Sequence, residues 1–141
     1  MKDIENLAKT SLFALMKDRD LKRIAKLANH IFFKKGELII KEGENDGRLF
    51  VIISGEVEII KSLGDPNQKH LRFLGPNHYF GEMALIDDYV RTASVVAMEN
   101  TEVLSLDQWN IRKEIAKNPS VAIELLQALS RRIREAEEHL C

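Results

Sequence analysis

An acidic and a basic residue that lie nine positions apart, Glu82 and Arg91, indicate a binding site by their chemistry. They belong to the segment Phe80–Val95, which reads FGEMALIDDYVRTASV. Gly81 lets the backbone come close to a ligand, and the N–H groups at the start of a short helix there favour an anion. The planar fork of Arg91 fits a phosphate, whereas the Glu82 carboxylate accepts hydrogen bonds from sugar hydroxyls. The pair therefore predicts a ligand that carries both a ribose and a phosphate.

This segment, called the cassette below, resembles the phosphate-binding cassette of cyclic-nucleotide-binding domains. The resemblance rests on two halves at the spacing usual in that family, Phe80-Gly81-Glu82-Met83-Ala84-Leu85 and Arg91-Thr92-Ala93-Ser94-Val95. It implies that Glu82 holds the ribose 2′-hydroxyl and that Arg91 holds the cyclic phosphate. The ligand-binding residues that it implies are Phe80, Gly81, Glu82, Met83, Ala84, Arg91, Thr92 and Ala93. The implied ligand is cyclic AMP, with cyclic GMP second, and no cofactor; Thr92 is compatible with either nucleotide.

Three short segments depart from the family pattern. Asp46-Gly47 reverses a Gly-Asp pair that is frequent in the family, so that turn is expected to differ. Asn77 stands where a glycine is usual, and asparagine tolerates a left-handed backbone. The cassette loop carries Asp87-Asp88 near Arg91, and we expect these carboxylates to be solvated rather than to weaken the anion site.

The composition is that of an ordinary globular chain. Of 141 residues, 45% are hydrophobic and 30% charged, which suits a single domain over residues 1–141. A net charge of −1 gives no general attraction to nucleic acid or to a membrane surface, and no apolar run approaches the length of a membrane span. The single cysteine, Cys141, and the absence of a signal sequence favour a cytoplasmic location.

The periodicity of apolar residues changes along the chain. Residues 1–30 read as a helical lead-in, in which Asp20 is expected to cap the second helix. Residues 31–107 read as short strands separated by glycines. The strand candidates are 38–40, 49–53, 57–60, 71–74, 93–96 and 103–106. The predicted fold is α+β: an antiparallel β-barrel of double-stranded β-helix or jelly-roll type, with helices before and after it.

Residues 108–141 read as C-terminal helices. Asp107 is expected to cap a helix that runs through Ala116, and Asn118-Pro119 to begin the next one. The last helix carries an apolar stripe with steps of three and four, formed by Ala122, Leu125, Leu126, Leu129, Ile133, Ala136 and Leu140. Two interpretations stay open at this point. The stripe covers the barrel alone, or it also forms a dimer seam or a lid over the ligand.

Other kinds of site find less support in the sequence. A metal-binding barrel would use a His-x-His pair, but the position two before His78 is Pro76, so we expect no metal. The arginines of the last helix, Arg131, Arg132 and Arg134, are followed closely by glutamates, so we interpret them as a solvated face rather than a nucleic-acid contact. No hydrolase nucleophile is evident, and we predict that the chain is not an enzyme.

The sequence thus predicts a regulatory domain that senses a cyclic nucleotide and passes its occupancy to the last helix. The expected partners are the nucleotide itself and, through that helix, a second copy or an effector domain; nucleic acid and membrane are not expected. Catabolite-activator-type factors continue into a helix-turn-helix module, whereas the sequence given ends at Cys141. The alternative hypothesis is an interaction module that keeps the fold and has lost the nucleotide.

Overall fold

The strands of this protein form two antiparallel sheets, and its helices lie before and after them in sequence. The computed structural model describes residues 2–82 and 90–140. The helices are α1 Lys2–Ala8, α2 Asp18–Leu27, α3 Gln108–Lys117 and α4 Ser120–Leu140. The strands are β1 Asn29–Phe33, β2 Leu38–Ile40, β3 Arg48–Ser54, β4 Val57–Lys61, β5 Lys69–Leu74, β6 Tyr79–Phe80, β7 Ser94–Ala97 and β8 Thr101–Asp107.

The strand order is that of a jelly roll. One sheet has the order β1-β8-β3-β6 and the other β2-β7-β4-β5, and every pairing between described strands is antiparallel. The predicted class, an antiparallel jelly roll with flanking helices, is therefore confirmed. Within the described ranges no strand belongs to both sheets, so the roll is two facing sheets rather than a closed barrel.

Strand β3 separates the two apolar cores, since successive side chains of a strand point to opposite faces. Phe50 and Ile52 belong to the core between the sheets, and Leu49 and Val51 to the core under the helices. All four are buried. The ring of Phe50 stacks on that of Phe80 with 5.1 Å between centroids, which fixes the first residue of the cassette against the sheet.

The four helices cover the outer face of the sheet that contains β3 and β8. Buried residues of every helix share one core with these strands. Asp107 caps α3 as predicted, because its Oδ1 accepts the backbone N–H of Trp109 at 2.8 Å. Asn118 ends α3, and α4 begins at Ser120. Among the described residues no helix has both the length and the apolar character needed to cross a membrane.

Two details of the lead-in differ from the sequence-based expectation. Strand β1, Asn29–Phe33, was not among the predicted strands, and it begins two residues before the predicted start of the strand region at 31. The prediction that Asp20 caps α2 is wrong: the N-cap position is Lys17, and Asp20 lies buried in the first turn. The left-handed backbone predicted at Asn77 is confirmed by its φ of 72°.

The apolar stripe of α4 is only partly covered. Val121, Leu125 and Ala128 are buried against the core, whereas Leu126 is 61% and Ile133 59% exposed. The buried face of α4 is therefore rotated about the helix axis relative to the predicted apolar stripe.

Candidate functional site

The predicted site residues that the structure describes line a single cavity. Its volume is about 520 Å³, within the range of small-molecule sites. Six of the eight predicted residues contribute to it, and Met83 and Ala84 lie outside the described residues, as does the loop with Asp87 and Asp88. The lining residues are Ile40, Ile59, Leu71, Arg72, Phe80, Gly81, Glu82, Val90, Arg91, Thr92, Ala93, Val95 and Arg132.

Gly81 is required by the backbone and by the space around it. Its φ of +82° is unfavourable for a residue with a side chain. A Cβ at this position would lie 2.7 Å from Arg91 Nη1 and 2.8 Å from the carbonyl oxygen of Arg48. The glycine thus lets the arginine lie directly against the first turn of the cassette.

The guanidinium of Arg91 is buried at the wall of the cavity, with 8% of the residue exposed. Its Nη2 donates to the carbonyl of Arg48 at 2.6 Å, and its Nη1 to that of Gly81 at 3.3 Å. Its Nε is buried and finds no acceptor among the described residues. Burial lowers the pKa of Arg91, although Asp46 and Glu82 oppose the shift, and an arginine stays charged under such conditions. A buried cation with an unused donor fits an anionic ligand.

The loop between β2 and β3 holds Arg91 through both main chain and charge. The backbone N–H of Arg91 donates to Glu44 at 2.9 Å, and its carbonyl accepts from Gly43 at 2.8 Å. Asp46 Oδ1 lies 3.7 Å from Arg91 Nη2, but both Asp46 oxygens are already bonded by Arg48, at 3.0 and 2.9 Å. Burial acts to raise the pKa of Asp46, and the two arginines outweigh it and lower the pKa. The sequence predicted only an altered turn at Asp46, so this support of Arg91 was not predicted.

A second support, also missed, holds the residue after Arg91. Lys61 Nζ donates to the carbonyl of Thr92 at 2.6 Å and lies 3.2 Å from Glu42 Oε2. The other oxygen of Glu42 accepts the backbone N–H of Ser62 at 2.8 Å, and the Glu42 N–H donates to Ser94 Oγ at 3.0 Å. These bonds connect the ends of β2 and β4 to the start of β7. Contacts between residues so far apart in sequence leave no local signal.

Glu82 is bonded by an arginine of α4. Arg132 Nη1 donates to Glu82 Oε1 and, at 3.1 Å, to the hydroxyl of Tyr79, with its guanidinium carbon 5.4 Å from the Tyr79 ring centroid. Burial acts to lower the pKa of Arg132, but Glu82 and Tyr79 prevail and raise it. The interpretation of Arg132 as part of a solvated face is therefore wrong. A signal was present: Arg132 continues the buried line of Leu125 and Ala128 at helical spacing.

Groups outside this cavity do not resemble a metal site. Among the described residues no three potential ligands from His, Cys, Asp and Glu come together. His30 lies between Glu102 and Asp3, each 2.9 Å from a ring nitrogen, and ties β1 to β8 and α1. The hydrogen bond to Glu102, followed by the contact with Asp3, raises the pKa of His30.

A sequence profile described as "Cyclic nucleotide-binding domain" matches residues 30–118, more than half of the chain. The chain belongs to the cyclic nucleotide-binding domain family. Among curated proteins it is 31% identical over 136 residues to a "CRP-like cAMP-activated global transcriptional regulator" of Mycobacterium tuberculosis. That match takes 96% of this chain and 61% of the relative. A cGMP-dependent protein kinase of Toxoplasma gondii is 39% identical over 120 residues, which are 82% of this chain and 11% of the kinase.

Solved structures of this family share the fold. The N-terminal domain of a transcriptional regulator from Streptomyces coelicolor A3(2) superposes with a TM-score of 0.84 at 27% identity, covering 96% of this chain and 94% of that one. The catabolite activator protein of Thermus thermophilus gives 0.78 at 31% identity, over 93% and 62% of the two chains. A chain described as cAMP-bound PfPKA-R gives 0.73 at 29% identity, over 79% and 40%.

Proposed function

We propose that this domain binds a cyclic purine nucleotide in the 520 Å³ cavity and reports its occupancy through α4. The observation that carries the proposal is the meeting of Gly81, Glu82 and Arg91 on the wall of one cavity. Gly81 lets the ligand approach the backbone closely, Glu82 provides an acceptor for hydroxyl groups, and Arg91 provides a buried positive charge. This set matches a ligand with a cyclic phosphate and a ribose.

The phosphate belongs against Arg91. The guanidinium keeps its geometry without the ligand, since the carbonyls of Arg48 and Gly81 already fix two of its nitrogens. Arg48 compensates the charge of Asp46 through two hydrogen bonds, so the positive charge of Arg91 stays available to the ligand. Preorganised charge of this kind favours binding, since little side-chain entropy is left to lose.

The ribose belongs against Glu82. One carboxylate oxygen of Glu82 is bonded by Arg132, and a carboxylate has further lone pairs for a sugar hydroxyl. The nucleotide and α4 would then meet at the same carboxylate. This shared contact is the physical route by which occupancy reaches the last helix.

The base belongs against the side of the cavity formed by apolar residues of the second sheet, among them Ile59, Leu71 and Val95. Arg72 also lines this cavity, and a guanidinium matches the O6 and N7 acceptors of guanine. Cyclic GMP is therefore the direct competitor of cyclic AMP for this site, and the relatives named for each nucleotide support testing both.

Calorimetric titration with cyclic AMP, cyclic GMP and 5′-AMP is the decisive experiment. We expect saturable one-to-one binding of a cyclic nucleotide, with the open-chain monophosphate much weaker. Arg72→Ala in the same titration should reduce the affinity for cyclic GMP more than that for cyclic AMP. If neither cyclic nucleotide gives a binding signal, the proposal is contradicted and the alternative, an interaction module without a nucleotide, is favoured.

The proposed role is regulatory rather than enzymatic. The matched segment is only 11% of the kinase relative and 61% of the transcriptional regulator, so both relatives extend beyond it. What a longer protein would control therefore follows from segments other than this one, and the absence of a nucleic-acid partner stays a prediction. We also propose the single domain over 1–141, a cytoplasmic location and a homodimer or effector contact through α4.

A further inference from the structure

Two carboxyl groups meet in the interior where the lead-in helices contact α4. Asp20 is 0% exposed and Glu124 is 7% exposed. Asp20 lies in the first turn of α2 and Glu124 just after the first turn of α4, and neither lines the nucleotide cavity. Buried acidic residues without a metal or a full set of cations are uncommon.

Glu124 supplies a cap to another helix. The N-cap position of α2 is Lys17, whose side chain makes no capping bond. Glu124 Oε2 accepts the backbone N–H of Lys17 at 2.6 Å instead. Ser120, at the start of α4, donates its hydroxyl to Asp20 Oδ2 at 3.1 Å. Each helix thus bonds the beginning of the other.

The two carboxyl groups are neighbours at this junction, because Glu124 bonds Lys17, three residues before Asp20, and Asp20 bonds Ser120, four residues before Glu124. Glu124 Oε1 is buried and finds no N–H or O–H donor among the described residues. Two charged carboxylates placed side by side in the interior repel each other, so this arrangement is favourable only if one of them carries a proton.

The groups around the pair determine which of the two carboxyl groups carries the proton. Burial and then the contact with Asp20 raise the pKa of Glu124, although the N–H of Lys17 acts the other way. The pKa of Asp20 is lowered, first by the bond from Glu124, and also by Ser120, Arg19 and Arg23. Arg23 Nη1 lies 3.2 Å from Asp20 Oδ1. Among the described residues, the cations that act on the pair are Arg19 and Arg23 on Asp20 and Lys17 on Glu124, whereas α4 contributes the neutral Ser120.

We propose that Asp20 and Glu124 share one proton, held by Glu124, and act as positioning residues that lock α4 onto the lead-in helices. The lock sets the placement of α4 at which Arg132 reaches Glu82. Glu124, Ala128 and Arg132 follow one another at steps of four on the inward side of α4, so a shift at the first is transmitted along a rigid helix. Only the consequence for ligand affinity rests on the proposed function.

The direction of the pH dependence follows from these shifts. A group whose pKa is raised by folding contributes stability that is complete below its unfolded value, here 4.5, and lost as pH rises through the folded value. Deprotonation of Glu124 places a second negative charge beside Asp20 in the interior. The contact between α2 and α4 should therefore weaken with rising pH.

The first test measures unfolding of the protein without ligand against pH. His30→Gln is included in every variant, because His30 also loses stabilising contacts as pH rises. Glu124→Gln keeps the shape and donates from an amide, so the loss of stability above about pH 4.5 should disappear. Glu137→Gln, on the exposed end of α4, is the matched control and should keep it. Equal pH dependence in Glu124→Gln and the control would overturn the shared proton.

The second test measures cyclic-nucleotide affinity against pH in the same variants. If only the locked form binds, affinity should fall by up to about tenfold per pH unit above the folded pKa of Glu124, and Glu124→Gln should remove this dependence. Binding that is insensitive to pH in both, with the stability result as expected, would refute the link to Arg132. Absence of binding at every pH would refute the proposed function instead, while the unfolding experiment still decides the lock.

Discussion

Replacing Arg91 with alanine should weaken nucleotide binding by about 100- to 5000-fold. Removing one partner of a buried, hydrogen-bonded charge pair costs about 2–5 kcal/mol. The upper part of that range applies here, since Arg91 is 8% exposed and Arg48 already neutralises Asp46. About 3–5 kcal/mol corresponds to the stated loss of affinity.

The stability of the folded state should also fall in this variant. The carbonyls of Arg48 and Gly81 lose their donors, and each unmet buried acceptor costs about 1–3 kcal/mol. Removing a buried cation offsets part of that cost. Denaturant unfolding of the ligand-free variant separates the two effects.

Two further variants make the assay specific. Arg91→Lys keeps the charge but cannot bond both carbonyls, so its affinity should lie between that of the alanine variant and that of the original protein. Arg48→Gln frees Asp46 to pair with Arg91, and it should weaken binding without removing any contact with the phosphate. If folded Arg91→Ala binds within about threefold of the original protein, Arg91 does not hold the phosphate.

Three other predictions concern neighbouring groups. The 2′-deoxy nucleotide should bind about 10- to 100-fold more weakly than the ribonucleotide. Titration of Glu82→Ala should show that this difference is largely lost. If the difference stays the same in the variant, Glu82 is not the acceptor of the ribose hydroxyl. Stability should fall as pH rises above about 6.5 through the raised pKa of His30, because both ring nitrogens must be protonated to donate to their carboxylates, and melting curves of His30→Gln should lack this decline. Lys61→Met should weaken nucleotide binding by about three- to tenfold, because the carbonyl of Thr92 loses its donor. Lys69→Met is the matched control and should bind as the original protein does. Equal affinities in the two variants would show that Lys61 does not support the site.

The sequence predicted the parts of the fold that leave a local pattern. Six strands were recognised from short apolar runs between glycines, and the cap at Asp107 from its position before an apolar period. Strand β6 was missed because Tyr79–Phe80 is too short to show alternation, and β1 because it follows a helix closely.

The site, like the fold, could be predicted only where its residues form a local sequence pattern. Residues within the cassette follow from the motif, whereas Asp46, Lys61 and Arg132 reach it from distant segments. The misassigned cap at Asp20 has the same origin, because Glu124, far along the chain, bonds the start of α2. Composition and periodicity describe a residue's neighbours in sequence, and these contacts are made in space alone.

The strand order has a consequence for how the chain acquires its structure. In one sheet the first strand pairs with the last, Asn29 opposite Ser105, and β3 also pairs with β8, Arg48 opposite Asp107. The β4–β5 hairpin of the other sheet is local by comparison and can form early. A chain still emerging from the ribosome, with nothing beyond Thr101 available, would leave β1 without its described partner and β3 with only the two-residue β6. Folding of this high-contact-order sheet must therefore wait until nearly the whole roll is available, and until then the apolar strand β3 stays open to aggregation.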